Sequence, residues 1–177
     1  KKYRIGLSAK TYVAPCCNET MHSSSFFVEG KYERPSFAYA GGLSKYQCID
    51  RMLDLYDGIQ RAIPDSELFF YTWDTEKAKE LVAEHCLDRI KVSYVPQEKL
   101  HEALSQAKYG FVIRDNSIVN RVATPTKLST YISNGVIPIV SDCVGDFAKE
   151  SKRIEHVICC EEEYMLGRIK EMEMKNI

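Results

Sequence analysis

Three cationic side chains fall close together where an apolar, strand-like run gives way to a helix-like segment. Arg114 ends the run, and Arg121 and Lys127 follow it. Lys127 lies in the first turn of the predicted helix, where a positive charge opposes the helix dipole unless an anion compensates it. Backbone N–H groups at a helix N-terminus also bind anions. The pattern predicts a phosphate or diphosphate site that includes Thr126; the alternative interpretation is a solvated surface lysine.

A second loop with suitable chemistry follows the first predicted strand and contains Gly41, Gly42 and Lys45. The glycines would let the backbone approach a ligand closely, and Lys45 adds positive charge beside free N–H groups. The same residues are also compatible with an ordinary tight turn and a solvated lysine. Their spacing matches neither the dinucleotide-binding fingerprint nor the P-loop.

The elements that must position these loops are short apolar runs alternating with segments of helical period. This pattern is typical of βα units and a parallel sheet. We therefore predict an α/β fold, a Rossmann-like open parallel sheet of about six strands flanked by helices. The predicted strands cover residues 37–40, 68–73, 90–95, 109–114, 136–141 and 156–160. Ligands of such sheets bind beyond the carboxyl ends of the strands, where both loops lie.

Helix boundaries are indicated by capping residues. Ser44 and Gln47 have the spacing of a capping box before the first helix, and Pro64 follows its end. A later helix is predicted over residues 125–134, with Thr124 as N-cap and Gly135 just past its end. Trp73, the single tryptophan, ends the second predicted strand. It is interpreted as a packing residue, with stacking on a nucleotide base as the alternative.

Composition limits the function further. The chain has 177 residues and a formal net charge of −1, so no overall basic excess indicates nucleic-acid binding or a polybasic membrane surface. The seven cysteines lack zinc-site or redox-motif spacing, which favours free thiols in the cytoplasm and no metal. Residues 1–36 are interpreted as a linker, and residues 37–177 as the ligand-binding domain.

Several of these segments resemble segments of a known protein family. Residues 113–128, followed by Tyr131 and residues 135–140, resemble the donor-binding segment of bacterial B-fold glycosyltransferases of the group-one type. Residues 39–47 resemble the first βα loop of the same carboxyl-terminal half. Residues 13–17 are similar to the strand that ends the amino-terminal half. The resemblance thus covers essentially the whole chain, as the second of two domains.

This resemblance implies a nucleoside-diphosphate sugar as donor substrate, with no further cofactor, in polysaccharide or glycoconjugate synthesis. The diphosphate would lie near Lys45, Lys127 and Arg114. The base would stack near the end of the third predicted strand, around Tyr94, Val95 and Pro96. The acceptor would bind to the missing amino-terminal half, which would also make any peripheral contact with the inner membrane. This chain alone is therefore expected to bind donor and to transfer sugar poorly.

Two positions depart from the family pattern. Where such families place a glutamate that binds the ribose hydroxyls, this sequence has Thr130, and an earlier signature glutamate is Val122. Ribose recognition would be weaker, shifted, or supplied by Ser129 or Ser133. The departures keep two alternatives open: a sugar-nucleotide-binding module that has lost catalysis, and a sugar-nucleotide epimerase of the same fold. The donor base, the sugar and the stereochemistry of transfer stay open as well.

Overall fold

The computed structural model describes residues 19–122, 125–151 and 154–175. Its centre is a parallel sheet of six strands in the order β3-β2-β1-β4-β5-β6. The predicted fold class is therefore confirmed. In chain order the strands are β1 Ser36–Ala40, β2 Glu67–Tyr71, β3 Ile90–Ser93, β4 Tyr109–Val112, β5 Ile137–Ser141 and β6 Ile158–Cys160.

Helices cover both faces of this sheet. In chain order they are α1 Ile49–Ala62, α2 Thr75–Glu84, α3 Leu100–Leu104, α4 Ile118–Val122, α5 Thr126–Ser133, α6 Gly145–Ser151 and α7 Glu162–Met174. Short 3-10 turns occur at Ser23–Phe26, Lys45–Gln47 and Gln97–Lys99. Among the described residues, no helix combines the length and the apolar character needed to cross a membrane.

The two faces are built by the alternation of side chains along the central strands. Phe37 and Tyr39 of β1 belong to a core shared with α1 and α7. Ala38 and Ala40 belong to a second core, shared with α3 and α5. The small residues on this second face let α5 lie close to the sheet, and α5 is the helix whose first turn carries Lys127.

The start of α1 differs from the predicted capping box. Residues Lys45–Gln47 form a separate 3-10 turn, and α1 begins at Ile49, after Cys48 in a left-handed conformation with φ of 51°. Ser44 makes no capping bond. The side chain of Gln47 instead forms hydrogen bonds with Tyr39 and Lys127. These long-range contacts occupy the amide that the local spacing had assigned to the capping box.

Two further helices were not predicted. Ile118–Val122 forms the short helix α4 between the predicted strand over residues 109–114 and the helix predicted from residue 125, and α6 follows β5 at Gly145–Ser151. Pro125 is the N-cap of α5 rather than its first residue, and Thr124, the predicted cap, lies outside the described residues. Gly135 ends α5 as predicted, with φ of 65°.

Residues 19–36 pack along α5 toward its carboxyl end. The His22 N–H donates to Ser133 O at 2.8 Å. The buried Lys31 Nζ donates to Asn134 O at 2.6 Å, and Tyr32 OH donates to Gly135 O at 2.7 Å. This stretch of the predicted linker is therefore attached to the domain. Residues 1–18, including the strand-like 13–17, lie outside the described residues, and the boundary at residue 36 stays a prediction.

The strand order reverses between β1 and β4, which are neighbours in the sheet but distant in sequence. Chains leaving the two strands depart to opposite sides, and this opens a crevice beyond their carboxyl ends. Tyr131 of α5 spans the reversal, because its hydroxyl accepts from the Ala40 N–H at 3.1 Å and donates to Phe111 O at 3.4 Å. These bonds fix α5 above the crevice.

Candidate functional site

A cleft of about 450 Å³ opens at this edge of the sheet. Seven of the sequence-predicted site residues line it, drawn from the loops after β1 and β3 and from α5: Gly41, Gly42, Tyr94, Val95, Thr126, Lys127 and Thr130. Its size is that of a small-molecule site, for which a range of roughly 300–1,000 Å³ is usual. The topology therefore brings loops that are far apart in sequence into one cavity.

Lys127 lies against the floor of the cleft. Its Nζ is 4.0 Å from the centre of the Tyr39 ring and donates to Gln47 Oε1 at 2.5 Å. When the Lys127 amine is protonated, the quadrupole of the Tyr39 ring stabilises it. Burial raises the pKa of Tyr39, so the phenol stays neutral. Among the described residues, no carboxylate pairs with Lys127.

Gly41 makes room for this lysine. A Cβ at residue 41 would lie 2.6 Å from Lys127 Cε and 2.7 Å from its Nζ, and Gly41 has φ of 151°. Any side chain there would displace the ammonium group. The glycine that the sequence analysis assigned to close backbone approach thus admits a cation of the same protein.

Burial is the main cause that lowers the pKa of Lys127 from its ordinary 10.5 to about 6, and the nearby charge of Arg114 acts in the same direction. Arg114 is itself buried, two residues beyond the end of β4. Its N–H donates to Ser141 Oγ at 2.9 Å, its Nη1 donates to Ile113 O at 3.1 Å, and its guanidinium lies 5.9 Å from the centre of the Tyr46 ring. Arg114 thus supplies positive potential from behind the cleft and does not line it.

Two other predicted residues lie outside the cleft lining. Lys45 is exposed in the 3-10 turn, and Gln47, two residues later, makes the contact with Lys127. Pro96 lies between Val95 and Gln97, which both line the cleft, but it does not line the cleft itself. The structure thus brings together the glycines, Lys127 and Thr130, and it leaves Lys45 apart.

No family model and no curated protein matches this sequence. Solved structures do match. S. aureus TarM, determined as a mutant in complex with ligands that include UDP, aligns over 95% of this chain and 31% of its own, with TM-score 0.64 and 10% identity. WaaG, a glycosyltransferase involved in lipopolysaccharide biosynthesis, aligns over 89% of this chain and 45% of its own, with TM-score 0.63 and 11% identity. The chain has the fold of a GT-B carboxyl-terminal domain.

A third match agrees with this fold. The trehalose-6-phosphate structure from E. coli bound with UDP-2-fluoro glucose aligns over 91% of this chain at 8% identity, with TM-score 0.54. The chain spans 31% of TarM and 45% of each of the other two proteins. It therefore corresponds to less than half of the length of these three structures.

Thr130 lines the cleft on α5, one helical turn beyond Thr126 and Lys127. Its Oγ1 lies 3.1 Å from Glu19 Oε1 and 3.2 Å from Thr126 O. Glu19, from the predicted linker, also lines the cleft. Ser129 and Ser133, the predicted substitutes, donate to carbonyls of their own helix. Sequence reasoning missed Glu19, since no local pattern indicates that an irregular segment packs beside α5.

Exposed aromatic side chains line this cleft. Trp73 is 72% exposed and Tyr94 61% exposed, and both line the cavity. The interpretation of Trp73 as a packing residue is therefore wrong. β2 ends at Tyr71, so Trp73 lies in the loop beyond it. The indole Nε1 is 3.6 Å from the position that a Cβ on Gly42 would take, which places the ring next to the glycine loop.

Proposed function

We propose that this domain binds the nucleoside-diphosphate sugar donor of a glycosyltransferase in the cleft beyond β1 and β3. The observation that carries the proposal is the environment of Lys127. A lysine over a neutral phenol, with Arg114 behind it and no carboxylate partner among the described residues, is a poor arrangement for the protein alone. A bound diphosphate would supply the missing negative charge.

The first turn of α5 supports the same assignment. Thr126 and Lys127 line the cleft, and no side chain caps the helix at Pro125. Uncapped N–H groups and the positive end of the helix dipole add to the charge of Lys127. In glycosyl transfer, a nucleoside diphosphate leaves with growing negative charge, and fixed positive groups around it lower the barrier. The domain would thus stabilise the leaving group.

The other end of the cleft suits a nucleoside. Tyr94 and Val95 offer apolar and aromatic surface at the end of β3, and Trp73 extends that surface toward Gly42. Two of the structures with the same fold contain UDP or a UDP-sugar analogue. The proposal extends to transfer of the sugar to an acceptor bound outside this domain, in polysaccharide or glycoconjugate synthesis.

The test is a thermal-shift and calorimetry panel of UDP, GDP, ADP and CMP with their common sugars. A ligand present at about 100 times its dissociation constant should stabilise the fold by roughly 2.7 kcal/mol. We expect at least one nucleoside diphosphate to give such a shift. Lys127→Met should abolish it, because the substitution removes the charge and keeps an apolar chain over Tyr39.

Lys45→Met is the matched control, since Lys45 is an exposed lysine outside the cleft. We expect this variant to keep the shift. Circular dichroism should show that both variants are folded before binding is compared. A shift that survives in Lys127→Met, or no shift with any nucleotide, contradicts the proposal.

A further inference from the structure

Glu19 is a carboxylate in a cleft that otherwise presents positive charge. It lines the cavity together with Lys127 and Thr130, and its Oε1 accepts from Thr130 Oγ1 at 3.1 Å. It forms no ion pair with Lys127 or with any other cation among the described residues. A carboxylate beside a diphosphate site weakens anion binding, so its position calls for a compensating contact.

The unused acceptor sites of the Glu19 carboxylate favour a ligand that carries hydroxyl donors. A carboxylate has two oxygens with about four acceptor sites, and one contact, from Thr130, is recorded among the described residues. The Thr130 hydroxyl has one hydrogen, which Thr126 O at 3.2 Å competes for. Two adjacent hydroxyls of a sugar ring can donate to both oxygens of a carboxylate at once, and such charge-assisted bonds are stronger than neutral ones.

The spacing along α5 fits a ligand that carries both a phosphate and a sugar ring. Residues 127 and 130 are separated by three positions, so they lie on the same side of the helix with Cβ atoms about 5–6 Å apart. Glu19 is joined to Thr130, so its carboxylate lies beside the residue that follows Lys127 by about one turn of α5. The segment that carries Glu19 is held in place farther along the helix by the bond from His22 N to Ser133 O.

We infer that Glu19, positioned by Thr130, accepts hydrogen bonds from a vicinal diol of the donor, so that the segment before the sheet completes the site. The inference rests on the proposed function. The diol belongs either to the ribose or to the transferred sugar, and the chemistry that Glu19 recognises is the same in both. Glu19 thus selects ribonucleotide or sugar donors over other diphosphates.

The test compares Glu19→Gln with the wild-type protein by calorimetry, using UDP and GDP, their 2′-deoxy counterparts, the corresponding UDP- and GDP-sugars, and inorganic pyrophosphate. Glutamine can still accept from Thr130 but lacks the charge. If the diol is that of ribose, the wild-type protein should prefer the ribonucleotide about ten- to hundredfold, and Glu19→Gln should reduce this ratio to about threefold or less. If the diol belongs to the transferred sugar, Glu19→Gln should instead lower the ratio of sugar-nucleotide affinity to nucleotide affinity.

Pyrophosphate has no diol, so Glu19→Gln should not weaken its binding as it weakens the binding of the diol-bearing ligands. Removing the negative charge of Glu19 should leave pyrophosphate binding unchanged or tighten it, which a misfolded variant would not do. Glu29→Gln, an exposed glutamate of the same segment, should change none of these ratios. Equal affinity ratios in Glu19→Gln and wild type, or equal weakening of all ligands, overturn the inference. If the wild-type protein binds pyrophosphate but no nucleotide, the proposed function fails, and the inference fails with it.

Discussion

The Nζ of Lys127 lies 4.0 Å from the centre of the Tyr39 ring and 2.7 Å from the position that a Cβ at residue 41 would take. The lysine comes from α5 and the tyrosine from β1, so the contact crosses the reversal of strand order. It holds the Lys127 amine in the cleft without a carboxylate partner among the described residues.

Gly41→Ala should therefore damage the site as well as the fold. The new Cβ would be 2.6 Å from Lys127 Cε, and the flexible lysine would move away from Tyr39 to avoid it. The backbone at φ of 151° adds strain of order 1–3 kcal/mol. We expect nucleotide affinity to fall at least about tenfold, which corresponds to roughly 1.4 kcal/mol, measured by calorimetry.

Gly42→Ala is the matched control. A Cβ at residue 42 would be 3.6 Å from Trp73 Nε1, which is ordinary van der Waals contact. We expect this variant to unfold at nearly the wild-type denaturant midpoint and to keep most of its affinity. Equal losses of affinity in the two variants would show that the room for Lys127 is not what Gly41 provides.

The lowered pKa of Lys127 makes folding stability depend on pH. Burial lowers this pKa from 10.5 to about 6, so between these values the unfolded chain binds a proton that the folded chain does not. The contribution of Lys127 to stability therefore rises with pH from about 6 to about 10.5 and is constant below pH 6. We expect the stability difference between wild type and Lys127→Met to shift in favour of wild type as pH rises.

Urea unfolding at several pH values measures this difference. Lys31, whose pKa burial lowers to about 8, titrates in both proteins and cancels in the comparison. A stability difference that is flat with pH, or that shifts toward the methionine variant at high pH, would mean that Lys127 is charged in the free protein throughout this range.

Anion binding should be coupled to proton uptake at the same residue. At about pH 8 the phosphates of a nucleotide are ionised, whereas Lys127 in the free protein is largely neutral. A bound diphosphate raises the pKa of the lysine, so up to about one proton is taken up for each ligand. Calorimetry in buffers of different ionisation enthalpy measures this number. Lys127→Arg keeps its charge at every pH and should take up no proton; identical values in both proteins would contradict the mechanism.

Much of this cleft could be predicted from the sequence, because its parts follow from topology. The alternation of strands and helices predicts a parallel sheet, and a parallel sheet places the loops after β1 and β4 at one edge. Gly41 and Lys127 could therefore be assigned to one site without knowledge of a contact. The end of α5 could also be predicted from Gly135, since the positive φ of 65° at this position favours glycine.

What sequence reasoning missed depends on long-range packing. Gln47 has the spacing of a capping residue, but the Lys127 ammonium and the Tyr39 hydroxyl both bond to its side chain. Glu19 lies in a stretch with no periodicity, and its place beside Thr130 follows from hydrogen bonds that no local pattern encodes. Trp73 was taken as packing because apolar residues at strand ends are usually buried, yet β2 ends two residues earlier.

Trp73 offers a direct optical signal for binding. It is the single tryptophan of the chain, is 72% exposed and lines the cleft. A nucleotide that occupies the cleft should change its fluorescence emission and protect it from acrylamide quenching. Trp73→Phe should abolish the signal and weaken binding moderately, since a smaller aromatic surface remains. Calorimetric binding without any change in emission would place the nucleotide elsewhere on the domain.

Glu173 should be a main support of the packing of α7 on β4. Its Oε1 accepts from Lys108 Nζ at 2.7 Å and from Tyr109 OH at 2.6 Å, and the Lys108 side chain is 1% exposed. Glu173→Ala would leave a buried ammonium without a partner, at a cost of about 3–5 kcal/mol. Urea unfolding measures the loss. Glu171→Ala, which breaks an exposed pair with Arg168 on the same helix, should cost less than about 1 kcal/mol. Similar losses in the two variants would show that burial of Lys108 does not set the strength of the Glu173 contact.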